Sequence, residues 1–148
     1  MRLLNFKEMN KLNRRLMLAS VCCLLSASAG TVLAIRRHLP AEFADLMYRE
    51  DVAKEFFWMG TALSAPFPLL LGQLVLTGCL VRGGRIGKVG LRGLTMLAGC
   101  YTLGQLGEPI VRRVFKVSTF ELAPALLVVT NMLSSLMMMV FGIRAWVE

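Results

Sequence analysis

Four long stretches of this chain carry no charged side chain at all: residues 16–35, 56–81, 93–107 and 122–143. Three of them exceed the roughly 18 residues that an apolar helix needs to cross a bilayer, and 93–107 falls just short. Surface helices of soluble domains carry only an apolar stripe, and their half-buried strands alternate, so charges interrupt both. Composition agrees. The chain is 56% hydrophobic with a mean hydropathy of +0.63, whereas a soluble domain is about 45–50% apolar even when glycine is counted. A net charge of +8 on such a chain belongs to the flanks of membrane spans. A soluble enzyme, a nucleic-acid-binding domain and a disordered tail are excluded. The expected fold class is an all-α integral membrane protein with four transmembrane helices in an antiparallel up-down bundle. It forms a single domain over 1–148, with the lipid bilayer as its partner and no nucleic acid.

The spans are expected at about 14–36, 56–81, 89–108 and 120–145. A basic start (Arg2, Lys7, Lys11, Arg14, Arg15) followed by an apolar run into Ser26-Ala27-Ser28-Ala29-Gly30 has the outline of a signal peptide. The run continues to Ile35, however, so an uncleaved spanning helix is the expectation. Pro40 and the acidic stretch 41–55, with Phe43, Leu46 and Met47 interleaved, give either a short interfacial helix or a solvated loop. The second span opens on Phe56, Phe57 and Trp58, where an aromatic belt belongs. Pro66 and Pro68 inside it are expected to bend it. Glu108-Pro109 ends the third span. Ser118-Thr119-Phe120-Glu121 reads as a capping box for the fourth, and Pro124 implies a distorted first turn or a later start.

Lys and Arg placement sets the topology. With the N-terminus, the 82–92 segment and the C-terminus on one side, ten basic residues lie there and seven on the other. Seven of the nine acids fall on the side with fewer bases. Both termini are therefore expected to be cytoplasmic; nothing indicates which membrane.

Several chemical signatures are missing. A single histidine, His38, excludes histidine-based metal sites and zinc-protease motifs. Gly83-Gly84-Arg85-Ile86-Gly87-Lys88-Val89 has one residue too few for a P-loop and lacks the Ser or Thr after lysine. Cys22, Cys23, Cys79 and Cys100 all lie in expected spans, where buried thiols are the default; a Cys79–Cys100 redox pair is the alternative. The run Met137-Met138-Met139 points in different directions around a helix and reads as apolar packing. No cofactor and no metal is expected.

Two sets of residues carry the functional expectations. The first is the basic, glycine-dense segment 82–93, read as a loop. Its Arg82, Arg85, Lys88 and Arg92 suit anionic lipid headgroups, with glycines letting the backbone approach; the plainer reading is a loop that only orients the protein. The second is polar residues inside the spans. Tyr101, Gln105 and Glu108 share one helix face, as do Asn131, Ser134 and Ser135, while Thr61 and Ser64 lie near the outer end of the second span and Gln73 and Thr77 near its inner end. Exposure of such groups to lipid is costly. They either fix helix register or line an outward-facing cavity made of Thr61, Ser64, Tyr101, Gln105, Glu108 and Asn131. A Gln105–Asn131 hydrogen bond, worth about 0.6–2 kcal/mol, is expected near mid-membrane. Glu108 sits at a helix C-terminus, where the dipole disfavours its charge.

The first span carries Ser26, Gly30 and Ala34 at four-residue intervals, and Ala19, Cys23 and Ala27 likewise. Such stripes allow close approach within the bundle, in a homodimer or in a larger membrane complex. Without a catalytic constellation, the expected role is a non-catalytic scaffold or accessory subunit. The alternatives are a small-solute or lipid transporter or binder using the cavity around Glu108, and a membrane-interface enzyme with Glu108 and His38 as its acid and base.

Overall fold

The computed structural model describes residues 9–37, 60–61, 63–107 and 121–148. The proposed interfacial helix, the aromatic start of the second span, Ser118–Phe120 of the capping box, His38 and Glu108 lie outside these residues.

Among the described residues four helices run in order: α1 (Lys11–Arg36), α2 (Phe67–Arg82), α3 (Gly84–Gly107) and α4 (Leu122–Val147). Helix α1 starts three residues before the expected span because Asn10 caps it, its side chain accepting from Leu12 N at 3.4 Å, a favoured N-cap arrangement. The start of α4 resolves the Pro124 question. Glu121 stands at the N-cap without a side-chain cap bond, so Pro124 occupies the first turn, where its missing N–H costs nothing.

The prolines of the second span do not bend a long helix; they start a shorter one. Pro66 is the N-cap of α2 and Pro68 follows in the first turn. Both occupy positions where no intrahelical donor is needed, and the residue before a proline resists the helical region. Ahead of them the chain makes a tight turn, with Thr61 N donating to Ser64 O at 2.9 Å and Ser64 N to Thr61 O at 3.1 Å. Gly60 enters it at φ +84, a conformation that favours glycine.

The basic segment is not a loop either. Gly83 alone joins α2 to α3, with Gly83 and Gly84 at φ +71 and +58. From Gly84 onward the chain is helical, and the recurring glycines form a packing face. A Cβ on Gly90 would lie 2.4 Å from Leu80 N, and one on Gly93 2.6 Å from Leu76 Cδ2. Spacing of three residues on a helix keeps Gly87, Gly90 and Gly93 on one side, where they admit the α2 backbone.

Contacts link α1 with α4, α4 with α3, α3 with α2 and α2 with α1, which closes an up-down-up-down ring. Neighbours run antiparallel: Arg15 and Arg37, at the two ends of α1, meet Phe141 and Glu121, at the opposite ends of α4. A Cβ on Gly142 would lie 2.1 Å from Thr95 Oγ1, fixing α4 against α3. The main apolar core joins Leu16, Cys23, Leu80, Leu94, Ala98, Tyr101 and Met138, and a second cluster of Ala34, Leu63, Ala125 and Val128 closes the other end. Among the described residues all regular structure is helical. Two of the helices, α1 and α4, are long and apolar enough to cross a membrane. Helix α2 is apolar but only 16 residues long, about 24 Å. Helix α3 is 24 residues long and carries Arg85, Lys88 and Arg92 in its first half.

Candidate functional site

Two separate clusters of buried polar groups join the helices. The first lies between α1 and α2. Gln73 Nε2 donates to the carbonyl and to the hydroxyl of Ser20, each at 3.0 Å, and lies 3.7 Å from Met138 Sδ. Thr77 Oγ1 donates to Gln73 O at 2.7 Å. Because a threonine hydroxyl has one proton, the 2.8 Å contact between Ser20 and Thr77 is donated by Ser20. The protons therefore run in a ring, from the Gln73 amide to Ser20, to Thr77 and back to the Gln73 carbonyl. This ring also fixes the orientation of the Gln73 amide, since flipping it would set two oxygens face to face. Its Oε1 is buried and has no partner among the described residues. Gln73 and Thr77 are recognisable in the sequence as polar residues one turn apart. Their partner Ser20 has as its only signal in the sequence a hydroxyl beside the small residues Ala19, Cys23 and Ala27.

The second cluster lies between α1 and α4. Asn131 Oδ1 accepts from Cys23 Sγ at 3.3 Å and from Ser26 Oγ at 3.2 Å, the single Ser26 proton being shared with Cys23 O at 3.0 Å. The expected Gln105–Asn131 bond is not made. The small side chains of α1 bring α4 close, and Asn131 turns its carbonyl to that nearer neighbour; Gln105 Oε1 is left buried without a partner among the described residues. The Ser26/Gly30/Ala34 stripe is consumed inside the chain: Ser26 bonds Asn131, a Cβ on Gly30 would lie 2.6 Å from Leu63 O, and Ala34 packs with Leu63, Ala125 and Val128.

Tyr101 OH donates to Leu69 O at 3.1 Å, tying α3 to the first turn of α2. Thr61 and Ser64 are buried in the turn before α2, and Thr61 Oγ1 has no partner among the described residues. Thr61 and Ser64 are joined by their two backbone bonds, but Tyr101, Gln105 and Asn131 share no hydrogen bond with them or with one another. Ser135 receives a bond from Thr102 at 3.4 Å. Arg82, Arg85, Lys88 and Arg92 are all exposed, on α2 and α3.

All four cysteines are free: Cys23 is buried, Cys79 half-buried, and Cys22 and Cys100 exposed. Among the described residues no three His, Cys, Asp or Glu side chains converge as a metal site would need. Comparison of the chain with family models, with curated proteins and with solved structures returns no match. The functional reading therefore rests on the molecule's own chemistry.

Proposed function

We propose that the chain is a small multi-pass membrane protein whose four helices all cross the bilayer as one bundle, and that its role is non-catalytic, as a scaffold or accessory subunit. Both termini and the Gly83 turn lie on the cytoplasmic side in this reading. One observation carries it: polar side chains are buried between the helices while large apolar ones cover the outside of all four. Gln73, Ser20, Ser135, Thr77 and Asn131 are buried, while Leu25, Leu74, Met96 and Leu133, one on each helix, are exposed. In water such continuous apolar exposure marks an interface or an aggregation hazard; in lipid it is the expected exterior, with polar side chains bonding between helices. The buried polar groups among the described residues are hydroxyls and amides, which suit holding helices together better than proton transfer. The test is alkaline extraction of the full chain from membranes, with reporter fusions at Gly83 and Phe115. Retention in the membrane with cytoplasmic signal at Gly83 and none at Phe115 supports the reading. Release into the supernatant, or signal at both sites, contradicts it.

A second reading, binding of a small hydrogen-bonding solute or lipid in the outer half of the bundle, is favoured by the buried, unpartnered Thr61 Oγ1 and Gln105 Oε1. Two stranded acceptors cost about 1–3 kcal/mol each, and a donor-bearing ligand would recover that cost. Native mass spectrometry of the purified protein would show a co-purifying small molecule that Gln105→Leu abolishes. If none is retained, the scaffold reading stands alone.

A further inference from the structure

The glycine face of α3 has a consequence for the opposite side of that helix. Gly87, Gly90 and Gly93 turn toward α2. At 100° per residue, Arg85, Lys88 and Arg92 fall together on the side of α3 away from α2. All three are exposed, and among the described residues none is paired with a carboxylate. Three like charges at i, i+3 and i+7 repel one another. They also stand in the first turns of a helix, where the dipole favours anions, and that first turn has no acidic residue. The neighbouring ends add more cations: Arg82 closes α2 and Arg144 closes α4. Trp146 provides an aromatic companion, with the Arg92 guanidinium 5.5 Å from its ring centroid.

The same outward face continues as hydrocarbon. Val89 stands among the cations, and Met96 and Leu103 extend their line along the helix; the three are 61%, 63% and 73% exposed. Arg85 to Met96 spans about 16 Å, close to half of a roughly 30 Å hydrocarbon core. A strip that is cationic for its first two turns and apolar beyond has the polarity of one phospholipid, headgroup first and chains after.

We propose that the outer face of α3 is a seat for an anionic phospholipid. Its phosphate lies among Arg85, Lys88 and Arg92, and its acyl chains lie along Met96 and Leu103. This rests on the reading that α3 crosses the bilayer. The glycines hold the strip outward, so the binding face is built by packing within the bundle rather than by a flexible loop.

The test uses the full chain purified in mild detergent, with phosphatidylglycerol, phosphatidylcholine or inorganic phosphate added, and native mass spectrometry as the readout. The wild type should retain phosphatidylglycerol in preference to phosphatidylcholine. At about fivefold per cation, Arg85→Gln/Lys88→Gln/Arg92→Gln should weaken that retention on the order of 100-fold. Arg85→Gln/Lys88→Gln, which spares the Arg92–Trp146 contact, should weaken it about 25-fold, so a folding defect specific to Arg92 does not decide the result. The charge-matched control Arg112→Gln/Arg113→Gln/Lys116→Gln, between α3 and α4 in sequence, should leave it unchanged. Equal retention by wild type and the α3 variants overturns the proposal. So does equal retention of the two lipids, or displacement of the lipid by inorganic phosphate. Reconstitution into vesicles of phosphatidylcholine alone separates the two levels: failure to insert there overturns the membrane reading itself, whereas insertion without lipid preference overturns only the seat.

Discussion

Gln73 of α2 donates from one nitrogen to both the backbone carbonyl and the hydroxyl of Ser20 on α1, 3.0 Å from each. Its own side-chain oxygen is buried and finds no donor among the described residues. Gain and loss oppose each other within one side chain. Interhelical hydrogen bonds in membranes contribute about 0.6–2 kcal/mol, and a stranded buried carbonyl costs about 1–3 kcal/mol. We therefore expect Gln73→Leu to change stability by no more than about 1 kcal/mol. Gln73→Glu should cost about 3 kcal/mol, because it removes the donors and places an acid at the core. Thermal unfolding of both variants in detergent checks the pair.

The glycines divide into those that admit a neighbour and those that do not. Gly90 faces Leu80 N and Leu76 O, backbone atoms with no freedom to retreat, whereas nothing lies within 4 Å of a Cβ at Gly99. Gly90→Ala should destabilise by about 1–3 kcal/mol, and Gly99→Ala should stabilise by about 0.5–1 kcal/mol through helix propensity. Denaturant titration of the two variants beside the wild type gives the signs.

At Gly142 the obstruction is a side chain, Thr95, so it can be relieved. Gly142→Ala should be destabilising alone and substantially less so on a Thr95→Ala background. A double-mutant cycle with no coupling between the two positions would show that α3 and α4 do not meet there.

Asn131 is the acceptor for two donors on α1. Asn131→Leu should cost about 1–2 kcal/mol by stranding Cys23 Sγ and part of the Ser26 donation. It should also raise the reaction of Cys23 with a membrane-permeant maleimide relative to Cys79, as α4 loosens from α1. Mass spectrometry of the labelled peptides measures both.

Much of this architecture is legible in the sequence, because charge-free runs at spanning length and their flanking prolines and cations act locally. The ends of α1 and α4 fall within a few residues of expectation for that reason. What is not legible depends on partners. Pro66 and Pro68 read in the sequence as a bend inside one long span; the turn that packs Leu63 against Gly30 makes them a helix start instead. The glycines at 87, 90 and 93 read as a phosphate-accommodating loop until α2 lies beside them, although their period of three is already helical. Of the residues expected to line a cavity, Asn131 could be placed in its helix but not given its partner. Small residues on α1 at 23 and 26 bring α4 near enough to take the carbonyl that Gln105 was expected to share.

In a four-span bundle the outer side of every helix meets lipid, including the short α2 and the basic α3. Spin labels placed singly at Leu25, Leu74, Met96 and Leu133 of a variant lacking its four cysteines, in lipid nanodiscs, report collisions with oxygen, which dissolves in lipid, against those with a water-soluble nickel chelate. We expect oxygen to dominate at all four positions. Dominance of the nickel chelate at Leu74 or Met96 would mean that α2 or α3 faces water, and a four-span bundle would be contradicted.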